Sequence, residues 1–187
     1  MTEVYQRHYN APVMEPEDLD AFSRSRIDFL GVNYYMRKIL RRPQTPEELF
    51  TEVRPDYQGV RFTEMDWEIY PDGLHSLLTR IQRDYDPPAI YITENGIACP
   101  DRIDAEGRIQ DDGRIDYLRS HFRAAQRAMQ EGVKLKGYYV WSLIDNFEWA
   151  YGFSKRFGIA YVDYRSQERI LKASAHWYRQ VIADSGF

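Results

Sequence analysis

The chain has 187 residues, 43% of them apolar, which suits one domain with a sizeable buried core. Its net charge of −4 is spread over interspersed acids and bases, without the clustered basic face of a nucleic-acid binder. No apolar run approaches the ~18 residues that span a bilayer, and the single cysteine, Cys99, rules out an internal disulfide.

No segment near Met1 has the charged-then-apolar form of a secretory signal. A cytoplasmic protein without nucleic-acid or membrane partners is therefore the expectation. His8, His75, His121 and His176 are dispersed, and no CxxC, HExxH or Walker-type motif occurs, so neither metal nor other cofactor is expected. Aromatic residues reach 15%, a share that core packing accounts for and that also suits stacking on sugar rings.

In chain order, residues 1–27 are polar, with a short helix expected over Glu17 to Phe22. Phe29 to Tyr35 reads as a strand buried on both faces. Residues 41–66, rich in proline and charge, read as a long surface loop with a helical turn near Pro46–Phe50. The spacing of Leu74, Leu77, Leu78 and Ile81 behind Pro71 predicts a helix over Pro71 to Tyr85, ended by Asp86-Pro87-Pro88. Ala89 to Thr93 is a short β-branched strand, broken at Glu94-Asn95-Gly96.

A polar loop, Pro100 to Gly113, precedes a helix with Ile115, Leu118, Phe122, Ala125 and Met129 on its inner face and Gly132 beyond its end. Gly137 to Leu143 is another buried strand. Alternating strands and helices argue for βαβ units around a parallel sheet. The tail differs: Gly158 to Val162 and Arg169 to Leu171 can pair as a hairpin, and Ser174 to Ile182 closes as a helix with Trp177, Tyr178 and Val181 inward. Three strands are too few for an eight-stranded barrel, which needs about 250 residues.

Functional residues of parallel α/β folds collect at the C-terminal strand ends. There stand Asn33 and Tyr35, then Glu94, then Trp141 followed by Asp145, Asn146, Glu148 and Trp149. Thr93-Glu94-Asn95-Gly96 alone also fits a plain strand-end turn, with Asn-Gly tolerating positive φ. Carboxylates and an amide pair with hydroxyls and an indole covers a C–H face, so the combination suits a polyhydroxylated ring. Asp101, Asp104, Asp111 and Asp112 read as a solvated loop and not a cation site. His121 and His176 read as packing or capping residues, and Cys99 as incidental.

Several long stretches carry a more specific likeness. Phe29-Leu30-Gly31-Val32-Asn33-Tyr34-Tyr35, Trp67-Glu68-Ile69-Tyr70-Pro71-Asp72-Gly73-Leu74, Tyr91 to Gly96, and Tyr139 to Trp149 resemble, in order, the signatures of family 1 β-glucosidases. Lys155 to Gly158 and Ser174 to Tyr178 extend the resemblance over essentially the whole chain. It implies an α/β fold: part of a (β/α)8 barrel, with strands six to eight, a hairpin and a closing helix. Residues 1–187 would be the C-terminal part of that domain, its N-terminal half absent.

The resemblance assigns Glu94 as the nucleophile of a retaining mechanism and Tyr35 as the phenol that orients it. Asn33, Trp141, Glu148, Trp149 and Phe157 fall on sugar-pocket positions, Trp67 on an aglycone-side wall, and the bond after Trp141 on a non-proline cis peptide. Retention of Glu148-Trp149 points to unphosphorylated β-glucosides or β-galactosides, or oligosaccharides of them, as substrate. The family's acid/base glutamate lies in an Asn-Glu-Pro motif, which does not occur in the 187 residues. The chain alone is thus expected to be very weak or inactive, and its unpaired sheet edge to favour a complementary N-terminal half or self-association. A non-catalytic sugar-binding or scaffold remnant is the competing reading. A different barrel enzyme sharing only the rim layout is the third.

Overall fold

The computed structural model describes residues 15–43, 45 and 48–186. They form two compact units, one built from 38–55 with the residues before Phe29, the other from 29–37 with 56 onward. The first unit holds helix α1 (Pro16–Arg24), capped by a reciprocal Glu15–Asp18 box. It also holds the antiparallel pair β2 (Ile39–Arg41) and β3 (Thr51–Val53). That pair replaces the expected loop. Of the helical turn expected near Pro46–Phe50, residues 46 and 47 lie outside the described residues, and 48–50 are not helical.

The second unit carries a three-stranded parallel sheet in the order β1 (Leu30–Asn33), β4 (Ile90–Asn95), β5 (Leu135–Val140). Between its strands run α2 (Pro71–Tyr85) and α3 (Asp112–Gln130). β6 (Ala160–Val162) and β7 (Arg169–Leu171) form the expected hairpin, and α4 (Ala173–Asp184) closes the unit.

Local chemistry sets these boundaries. Pro71 occupies the first turn of α2, where its missing N–H costs no hydrogen bond. Pro87 forbids continuation beyond Asp86, whose carboxylate is held by Gln82 and Lys134, both at 2.6 Å. α3 ends in a Schellman motif: Gly132, at φ 97°, donates to Met129 and Val133 donates to Ala128. Only glycine takes that backbone conformation without steric penalty.

The main core lies between sheet and helices, with Ile90 and Ile92 of β4 wholly buried against Leu74 and Leu78 of α2 and Ala125 and Ala128 of α3. The inner face of α3 is only partly the expected one. Met129 is half exposed, while Arg114, Tyr117 and His121 are buried. His121 stacks on Tyr117 at 3.9 Å and donates from Nδ1 to the Tyr117 carbonyl at 2.8 Å, so it packs as expected.

Burial pushes the His121 pKa down to about 4. The folded value lies below the unfolded one of ~6.5, so the stabilisation is complete above pH ~6.5 and is lost as pH falls toward the folded value. This residue is expected to contribute a slope of at most about 1.4 kcal/mol per pH unit in that window. Urea melts at several pH values check it, the slope becoming shallower in His121→Phe.

Candidate active site

Glu94 sits at the end of the central strand, half buried, with its Oε2 accepting a 2.7 Å hydrogen bond from the Tyr35 hydroxyl. Burial, then the bond to Glu94 and its charge, raise the Tyr35 pKa well above the usual phenol value, so Tyr35 remains a donor. Asn33 lies opposite Glu94 in the β1–β4 register, its side-chain carbonyl accepting from Thr93 at 2.6 Å.

The next residue, Asn95, is the joint of the rim. It is wholly buried, and its amide donates to the Tyr34 carbonyl at 2.6 Å and to the Tyr117 hydroxyl at 3.0 Å. Its side-chain oxygen accepts from Tyr138 at 2.5 Å. One side chain thus ties β4 to the end of β1, to α3 and to β5. Asn95 continues the strand, and neither it nor Gly96 has positive φ, contrary to the turn reading. Gly96 is needed for close approach instead, since a Cβ there would fall on the Trp141 carbonyl. Trp141 in turn donates its N–H to the Asn95 carbonyl at 2.9 Å, and the Trp141–Ser142 peptide is cis, as the resemblance implied.

Beyond Trp141 the chain folds into a loop that returns at Phe157, where Ser142 donates to Phe157 and Ile159 to Ser142. Glu148 precedes a 3-10 turn, Trp149–Tyr151, and donates its N–H to Gly152 at 2.7 Å. Partial burial, and then the charge of Glu94, raise the Glu148 pKa. Trp67 packs edge-on against Tyr35 at 5.4 Å, and Phe157, only 2% exposed, backs both rings. Trp149 is 83% exposed and does not join this aromatic cluster.

Asp145 is not part of the rim surface. It is 2% exposed and accepts from Lys172 Nζ at 2.8 Å, from Arg156 at 2.5 Å and from the Gly158 N–H at 3.0 Å. Lys172, itself fully buried, also bonds Asp101 at 2.5 Å. Arg114 joins Asp101 to Asp111, and Ser174 caps Asp111 at 2.5 Å. This corrects the solvated-loop expectation for Asp101 and Asp111; Asp104 does face its own loop, bonding Arg108. Three carboxylates and three cations balance in a buried network joining the loops after β4 and β5. Removing one member would leave an uncompensated charge, typically costing about 3–5 kcal/mol. Cys99 nearby is half buried and burial raises its thiol to about 11, leaving it a poor nucleophile. No group of residues with metal-ligand geometry occurs among the described residues.

The sequence profile of glycosyl hydrolase family 1 matches residues 1–187. The chain belongs to glycosyl hydrolase family 1. Among curated family members, it is 48% identical to beta-glucosidase A of Thermotoga maritima over 87% of this chain and 36% of the relative. It is 45% identical to a bifunctional beta-D-glucosidase/beta-D-fucosidase of Bifidobacterium breve, over 89% of this chain and 39% of the relative. A solved Thermotoga maritima beta-glucosidase in complex with isofagomine lactam superposes with a TM-score of 0.88 at 44% identity, covering 99% of this chain and 41% of that one. The chain therefore spans roughly two fifths of the length of these family 1 relatives. Its parallel sheet with intervening helices is a partial (β/α)8 barrel of the family 1 type. No helix among the described residues is long and apolar enough to cross a membrane.

Replacing Asn95 by Ala strands the Tyr34 carbonyl and the Tyr138 hydroxyl, at roughly 1–3 kcal/mol each if unpaired, while the Tyr117 hydroxyl keeps its bond to the Tyr35 carbonyl. Asn95→Ala is expected to lower stability by at least about 2 kcal/mol, read as a shift in urea midpoint with unchanged slope.

Proposed function

We propose that the chain is the C-terminal part of a retaining β-glycosidase acting on unphosphorylated β-glucosides or β-galactosides, with Glu94 as nucleophile. The observation that carries the reading is the Tyr35 hydroxyl bound to Glu94 Oε2 at a parallel strand end. The Tyr35 bond occupies one carboxylate oxygen and leaves Oε1 to attack.

In the first step Glu94 Oε1 bonds to the anomeric carbon as the bond to the aglycone oxygen breaks, and a general acid supplies that oxygen with a proton. In the second step the same group, now a base, takes a proton from water. The water oxygen replaces Glu94 on the anomeric carbon, and two inversions give net retention. Such enzymes hold their two carboxyl groups about 5–5.5 Å apart. Glu148 serves the sugar hydroxyls in this reading, with Asn33, and Trp141 and Trp149 cover ring faces. The acid/base carboxylate then belongs to a complementary N-terminal part; the outer edges of β1 and β5, which pair with no further strand among the described residues, support its docking, as they do pairing with a second copy.

A relative at 38% identity is named 6-phospho-beta-galactosidase, of Streptococcus equi subsp. zooepidemicus, so phosphorylated sugars are the alternative within the family. The Glu148 carboxylate would repel a phosphate, which favours a neutral sugar.

Lack of general acid catalysis typically costs about 10²–10⁴-fold. A dinitrophenolate leaves without a proton, and azide attacks without a base. The isolated chain is therefore expected to cleave a dinitrophenyl β-glucoside slowly in buffer and faster with azide, giving the β-configured glycosyl azide. Glu94→Gln should abolish this. Mixing with the N-terminal part should restore hydrolysis by water alone. Turnover surviving Glu94→Gln would overturn Glu94 as nucleophile, whereas sugar binding without turnover, even with azide and the N-terminal part, would favour the non-catalytic remnant.

A further inference from the structure

The turn carrying Trp67 has little core of its own. Only Met65 of its apolar residues is buried, at 8% exposure. The turn closes on itself through a Phe62–Glu68 bridge, and Thr63 accepts from the N–H groups of Met65 and Trp67. Met65 and Trp67 pack with Ala98, Phe157, Tyr35 and Trp141, and a polar pair adds a fixed angle to that packing. Glu68 lies directly after Trp67, and its side chain is 2% exposed. The guanidinium of Arg37 donates to both Glu68 oxygens, at 2.7 and 3.0 Å, and the Tyr57 hydroxyl donates to Glu68 Oε1.

Arg37 also stacks 3.5 Å over the Tyr70 ring, and Tyr70 accepts from the Tyr34 hydroxyl at 2.6 Å. Burial would raise the Glu68 pKa, but the bonds from Arg37 and Tyr57 outweigh it and hold the group below the ordinary carboxylate range. Glu68 is therefore an anion throughout the neutral range. Across the turn, Lys155 donates to the Glu64 carbonyl at 2.6 Å.

The geometry has a direction. Arg37 lies two residues after Tyr35, so the fork that grips Glu68 grows from the segment that carries the phenol bound to Glu94. Trp67, adjacent to Glu68, is thereby held edge-on to Tyr35, one ring away from the nucleophile. A bidentate guanidinium–carboxylate pair fixes angle as well as distance, which an apolar contact would not.

We propose that Arg37 and Glu68 are positioning residues that set aglycone specificity, holding the Trp67 indole where it stacks on flat, apolar leaving groups. The proposal rests on Glu94 as nucleophile, and its test separates the two. The double variant Arg37→Met/Glu68→Gln removes both charges together, leaving neither buried alone. In the 187-residue chain, azide-driven turnover of a dinitrophenyl β-glucoside is compared with that of β-glucosyl fluoride, whose leaving group is too small to touch Trp67.

The aryl-to-fluoride ratio of kcat/KM is expected to fall about tenfold, the size of a lost apolar contact, through KM, with the fluoride rate little changed. Nuclear Overhauser contacts between the Trp67 indole and the Tyr35 ring should vanish, while those between Phe122 and Trp177 persist. Should the double variant not fold, Tyr57→Phe removes one donor without changing charge, and a smaller fall in the same ratio is expected. Equal losses for both substrates, or retained Trp67–Tyr35 contacts, overturn the proposal. If the unaltered chain shows no azide-driven turnover even with the N-terminal part added, the Glu94 reading fails and the Trp67–Tyr35 contacts alone decide the positioning.

Discussion

The rim of this barrel segment depends on one close contact, the backbone of Gly96 against the carbonyl of Trp141. It is possible only because residue 96 has no side chain, and it brings the ends of the central strand and its neighbour together where chemistry would occur. The Asn95 amide beside it converts that contact into a fixed geometry. It hydrogen-bonds to the ends of β1 and β5 and to α3, so Glu94 cannot shift without moving three other elements. Tyr35 then has a defined target for its hydroxyl, and the loop after Trp141 a defined origin.

A second layer supports that loop from below. Lys172 and Arg114 lie between carboxylates contributed by segments far apart in the chain, Asp101 and Asp111 before α3 and Asp145 after β5. Buried ion pairs add little net stability, because desolvation offsets the attraction. They do penalise any arrangement that leaves a charge unpaired, and so favour one loop conformation over others. The Trp67 turn follows the same logic, with Glu68 and Arg37 beside the small cluster of Met65, Ala98 and Phe157. In both places charged pairs add to the packing near the rim, while the Ile, Leu and Ala core lies deeper between sheet and helices.

Some of this was legible in the residue order. The bounds of α2 follow from Pro71, four leucine and isoleucine positions and Pro87, all local signals. The β6–β7 hairpin and the placement of Glu94 at a strand end are also local. The β2–β3 pair was not readable, because two three-residue strands carry too few positions to show alternation. On α3, Leu118, Phe122 and Ala125 face inward as expected, but Arg114 looks like a solvent-facing residue until its partners Asp101 and Asp111 are known. Asp101 and Asp111 looked solvated for the same reason: Asp101 finds Lys172 71 residues away and Asp111 finds Ser174 63 away. Asn95 and Gly96 read as a turn because Asn-Gly usually makes one. Their actual roles, a buried hydrogen-bond hub and a gap for a carbonyl, depend on a neighbouring strand 45 residues on from Gly96.

The central claim is that Glu94 becomes bonded to the anomeric carbon of a pyranose. A 2-deoxy-2-fluoro β-glucoside with a dinitrophenyl leaving group tests it, because the fluorine slows both steps while the leaving group spares the first, so the glycosyl adduct accumulates. The chain, paired with its N-terminal complement, would be treated with this reagent, digested and mapped by tandem mass spectrometry. The account predicts a single fluoroglucosyl group on the Glu94 carboxylate. A label on Glu148 or any other residue, or none at all, would contradict it.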